Sequence, residues 1–85
     1  MYVVTRRNYN KKRGKRLFSS YDFEPLKNFV YHNFYDISEG IGEEDVDDFI
    51  DIERGDRIIA TIYSNSRAEF DRVMWYINDE GEKVS

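Results

Sequence analysis

The sequence predicts an α+β fold in a single domain, residues 1–85. One amphipathic helix over about residues 22–35 is packed on an antiparallel β-sheet built from hairpins, in the order ββαββββ. Three observations carry this expectation. Between Phe49 and Tyr63, Ile50 and Ile52 alternate with Asp51 and Glu53, the run breaks at Arg54-Gly55, and Ile58, Ile59, Ala60 and Ile62 follow. That is a half-wet strand, a residue able to take the positive φ of a tight turn, and a central strand rich in β-branched side chains. Phe23, Leu26, Val30 and Phe34 then recur at helical spacing, with Phe29 widening the stripe. Finally, the strand-like runs stand apart from the helix in sequence, which favours α+β over α/β.

Taken in order, Tyr2-Val3-Val4-Thr5 reads as a strand of aromatic and β-branched residues. Asn8 to Lys15, polar and with Gly14 near its end, reads as a hairpin loop, and Arg16 to Ser19 as its return. Asp22 suits the N-cap of the helix. Its carboxylate can accept from a first-turn N–H, and its charge, like that of Glu24, favours the positive helix end. Pro25 is tolerated in the first turn because amides there lack intrahelical partners. Ile37 to Asp48 is an acidic connection, in which Glu43 to Phe49 has the composition for one helical turn. The segment 49–53 also fits helical spacing, through Val46, Phe49 and Ile50, but alternation favours a strand there, and 57–63 reads as its partner.

The last segment supports two readings. Ala68, Phe70, Val73, Met74 and Ile77 suit a helix begun at Ser66. The composition of Arg72 to Ile77, followed by Asn78-Asp79-Glu80-Gly81 as a turn, favours a strand over about 71–78 and a short return at 82–84. On that reading the helix stripe packs on Val4, Ile50, Ile52, Ile59 and Trp75.

At 85 residues the chain buries only about 60–65% of its unfolded surface, so the core is thin and large side chains must fill it. Aromatics at 16% meet that need. A charged fraction of 35% and a mean hydropathy of −0.78 leave no run long enough for a membrane helix, and the N-terminal run lacks signal-peptide character. The absence of cysteine excludes disulfides, zinc ribbons and thiol catalysis, and it fits a reducing, cytoplasmic setting.

The net charge of −4 conceals a strong asymmetry. The charged residues up to position 16 are all basic: Arg6, Arg7, Lys11, Lys12, Arg13, Lys15 and Arg16. From Asp36 to Asp56 the acids Asp36, Glu39, Glu43, Glu44, Asp45, Asp47, Asp48, Asp51, Glu53 and Asp56 face one base, Arg54. Two opposite poles are expected, unless the fold joins them.

Catalytic signals are weak. His32 is the single histidine and sits mid-helix without a nameable nucleophile or orienting partner. No P-loop or dinucleotide fingerprint is present. Asp45-Val46-Asp47 begins like a calcium loop, but Phe49 stands where an oxygen ligand is needed and Ile50 where glycine is needed. Arg54-Gly55-Asp56 spells an adhesion tripeptide and is better explained as a hairpin turn. No enzyme activity, metal or cofactor is therefore expected.

Two binding surfaces remain. The carboxylates Glu43, Glu44, Asp45, Asp47, Asp48 and Asp51 are expected to dock on a basic partner protein, in the manner of an accessory protein, inhibitor or DNA mimic of the kind mobile genetic elements encode. The alternative is nucleic-acid binding by the hairpin loop, with Lys11, Lys12, Arg13, Lys15 and Arg16 on phosphates and Tyr9 stacking on a base.

Overall fold

The computed structural model describes the backbone of residues 1–84 and the side chains up to Asn78. Six elements follow in the order β1 (Tyr2–Asn8), β2 (Lys15–Ser20), α1 (Phe23–Ile37), β3 (Asp48–Arg54), β4 (Arg57–Ile62) and α2 (Arg67–Val84). The α+β class and the sheet of hairpins are as expected. The four strands form one antiparallel sheet in the order β2-β1-β3-β4. Its centre is the long-range pair β1–β3, which joins the two hairpins in a register that sets Val4 opposite Ile52 and Thr5 opposite Asp51.

The β3–β4 hairpin turns where expected. Arg54 pairs with Arg57, leaving Gly55 and Asp56 as the turn, and Gly55 takes φ 62°, a conformation that glycine adopts without strain. Strand alternation then sends Val4, Ile50, Ile52 and Ile62 to one face, where they are buried. Helix α1 lays Leu26, Val30 and Phe34 on that face. Full burial of such side chains stabilises by about 1.5–3 kcal/mol each. Asp22 occupies the N-cap with extended backbone, but its carboxylate makes no capping hydrogen bond, so it contributes charge alone.

The C-terminal reading as two strands is overturned. Residues 67–84 form the continuous helix α2, and the 78–81 turn falls within it. The deciding quantity is the period of burial. A strand would bury Val73, Trp75 and Ile77 together, whereas the structure buries Phe70, Met74 and Ile77 and leaves Trp75 69% exposed. Spacing of four and three residues follows a helix, and packing of that stripe overrides the β-propensity of Val, Trp, Tyr and Ile. The helix begins where Ser66 accepts from the Phe70 N–H at 3.0 Å. Phe70 stacks on Phe34 with ring centroids 4.3 Å apart, so both helices share one face of the sheet. Trp75 thus takes no part in the core, and Ile59 packs at its margin. Glu43 to Phe49 forms turns and the start of β3 rather than a helical turn. No helix among the described residues is long and apolar enough to cross a membrane.

Met74→Ala is expected to cost about 2–4 kcal/mol through loss of buried volume, and Trp75→Ala less than about 0.5 kcal/mol as a surface change. Urea unfolding of the two variants measures this, and the opposite ranking would restore the strand reading.

Candidate functional site

Adjacent residues on a strand point to opposite faces, so Arg6 and Arg7 of β1 project on either side of the sheet. On the helix side, the Arg6 guanidinium donates to Asp48 Oδ2 at 2.9 Å, to the Ile37 carbonyl at 3.0 Å and to the Glu39 carbonyl at 2.8 Å. The last carbonyls of a helix lack intrahelical donors and carry partial negative charge. The last turn of α1 has no basic residue of its own, and Arg6 supplies one from the sheet. On the open side, Arg7 Nε donates to Asp51 Oδ2 at 3.0 Å and Arg7 Nη2 to Glu53 Oε1 at 2.7 Å. Asp51 is 3% exposed and also accepts from the Thr61 hydroxyl at 2.9 Å. A carboxylate this deep requires such partners.

These contacts shift the titrating groups. The Asn8 amide bonded to Asp48, aided by the bond and charge of Arg6, holds that carboxyl below its usual range, while burial works in the opposite sense. The Glu53 carboxylate raises the Arg7 guanidinium above its ordinary value.

The expected acidic docking surface is therefore reduced. Asp48 and Asp51 are occupied within the sheet, and Asp51 is out of reach of a partner. Glu43, Glu44, Asp45 and Asp47 remain exposed on the loop between α1 and β3. Buried Ile41 and Ser38 anchor that loop, with the Ser38 hydroxyl bridging the Phe34 carbonyl at 2.6 Å and the Asn65 side chain at 2.9 Å. Asp47 accepts from the Asn10 amide at 2.7 Å.

The residues of the expected alternative surface are not buried in the sheet. Tyr9, Lys11, Lys12, Arg13, Lys15 and Arg16 are all exposed, and none of these five bases forms an ion pair among the described residues. The fold thus joins the two poles at Arg6 and Arg7 and leaves the tip bases without an ion pair among the described residues.

The structure adds two aromatic residues that the sequence reading did not single out. On the sheet face without helices, the Tyr9 ring lies 4.6 Å from Phe49, and Phe49 lies 5.9 Å from Tyr63. The row crosses β1, β3 and the end of β4, with Tyr9 65% and Tyr63 58% exposed. Hydrogen bonding with Tyr63 raises the Tyr9 phenol above its ordinary value. The signal for Phe49 was present in the alternation of β3, where an aromatic residue shares the wet face with Asp51 and Glu53.

A cavity of about 460 Å³ opens under the β1–β2 loop, with Arg6, Arg7, Lys11, Arg13, Lys15 and Asp48 in its walls; none of the three rings lines it. His32 is exposed on α1. Among the described residues no cluster of three or more His, Asp or Glu residues is placed to hold a metal ion. No family model, curated protein or solved structure matches the chain.

Arg7→Met strands the Asp51 carboxylate in the sheet and is expected to cost about 2–3 kcal/mol in urea unfolding, since the guanidinium is itself partly hydrated. A loss below about 0.5 kcal/mol would deny the pair its structural role. Asp48 is depressed in the folded state, so its contribution is full above the unfolded value of about 3.9 and is lost as pH falls through the lower folded value. Asp48→Asn is expected to lower stability at neutral pH and to flatten the decline on the acid side, read as denaturation midpoints against pH. An unchanged acid limb would contradict that assignment.

Proposed function

We propose that the protein is a non-enzymatic binder of single-stranded nucleic acid, using the open sheet face at its β1–β2 end. The observation that carries this reading is the row Tyr9, Phe49 and Tyr63 lying next to five bases without an ion-pair partner among the described residues. Exposed rings on a sheet give each base a π-face to stack on without sequence preference, and neighbouring lysines and arginines hold the phosphates. The net charge of −4 does not oppose this locally. Screening confines the field of distant carboxylates to about 8–10 Å at physiological salt, and Arg7 offsets part of the charge of Asp51 and Glu53 on that face.

A second reading keeps the acidic loop as the docking surface for a basic partner protein through Glu43, Glu44, Asp45 and Asp47. Their exposure favours it. The half-buried Val46 is the one apolar side chain among residues 42–48, which leaves little for the desolvated centre that strong interfaces have.

Fluorescence anisotropy with a labelled oligothymidylate separates the two. Binding is expected to weaken by roughly 20- to 100-fold between about 50 and 200 mM salt, as for release of a few counterions from a single strand. Tyr9→Ala is expected to weaken it by roughly 5- to 100-fold through lost stacking, and Lys12→Glu/Arg13→Glu by at least as much. Glu43→Gln/Glu44→Gln leaves binding equal or tighter. No binding at the lower salt, or binding indifferent to Tyr9 and to the tip charges, would overturn the proposal.

A further inference from the structure

Resting on the strand-binding reading above, we propose that the cavity under the β1–β2 loop seats a terminal phosphate: a phosphomonoester at the end of a nucleic-acid strand or on a free nucleotide.

Charge points to a monoester. Of the five bases in the cavity walls, Arg6 and Arg7 are committed to Asp48, Asp51 and Glu53. Lys11, Arg13 and Lys15 converge on the same space with no ion pair among the described residues. A backbone diester carries one negative charge, whereas a terminal monoester carries about −1.5 to −2 at neutral pH and offers three acceptor oxygens. Three cations without an ion pair among the described residues match the second better. Asp48, the acid in the walls, is bonded to Arg6 and Asn8, which offsets its repulsion of an anion.

The β1–β2 loop bounds the cavity closely. A Cβ on Gly14 would stand 2.6 Å from Thr5 Cγ2 and 2.9 Å from Arg7 Cγ. The returning loop is therefore pressed onto the sheet as bare backbone. The volume of about 460 Å³ exceeds a phosphate group and falls in the range of small-molecule clefts, leaving room for the terminal sugar.

The test compares three oligonucleotides of one sequence, carrying a 5′-phosphate, a 3′-phosphate or hydroxyls at both ends, with a 5′-mononucleotide and its nucleoside as competitors. A phosphate at one end is expected to tighten binding by about tenfold, as for a few charge-assisted hydrogen bonds. The mononucleotide displaces the strand and the nucleoside does not. Lys11→Gln/Lys15→Gln is expected to collapse the ratio between phosphorylated and unphosphorylated strands. Lys12→Gln/Arg16→Gln, outside the cavity, weakens all three strands and preserves the ratio. Equal affinities for the three strands would overturn the end site and leave the strand reading standing. If no strand binds, the strand reading falls, and amide shifts of Asn8 to Lys15 on titration with the mononucleotide decide the cavity: saturable shifts support it and their absence overturns it.

Discussion

Two neighbouring arginines, Arg6 and Arg7, hold the centre of this protein by pairing with β3 on both faces of the sheet at once. Strands β1 and β3 are distant in sequence, and no short turn fixes how they align. A slip of one residue would turn every side chain to the opposite face. It would remove Val4 from the core, carry Arg6 away from Asp48 and the end of α1, and take Arg7 from Asp51 and Glu53. Apolar burial and ion pairing therefore select the same register. Consistency of this kind between local and long-range preferences is what allows a thin core to specify one arrangement.

The same pairing divides the molecular surface. Both helices cover one sheet face, with Leu26, Val30, Phe34, Phe70, Met74 and Ile77 against the strand residues. The other face would be strongly acidic if Asp51 and Glu53 stood alone. Arg7 between them offsets half of that charge, and the aromatic row and the basic tip are the face's other prominent features. The loop acids Glu43, Glu44, Asp45 and Asp47, without an ion pair among the described residues, gather on the connection before β3. A net negative chain can thus present a local positive edge, and such an edge governs the approach of a polyanion more than the total charge does.

The elements legible in the sequence were those whose information is local. Alternation and Gly55 marked the β3–β4 hairpin, and the spacing from Phe23 to Phe34 marked α1. In α2, two local signals conflicted: the residue types of Arg72 to Ile77 favoured a strand, and their spacing favoured a helix. Spacing prevailed because Phe70 and Met74 had a partner surface on Phe34 and the sheet, which residue composition cannot report. The ion pairs were illegible for a different reason. Arg6 and Asp48 lie 42 positions apart, and only the β1–β3 register brings them together. Of the aromatic row, Tyr9 was recognisable by its basic neighbours, while Phe49 and Tyr63 acquired a role only once three strands lay side by side.

The central claim is that the open sheet face, at the end bearing the basic tip, is the binding surface. The most direct measurement is amide chemical-shift mapping on addition of an unlabelled single-stranded oligonucleotide at low salt. Saturable shifts concentrated at Tyr9, residues 11–16, Phe49 and Tyr63, with residues 43–47 and the outer surface of α1 unmoved, are the predicted result. No saturable shifts, or shifts centred on residues 43–47, would contradict it.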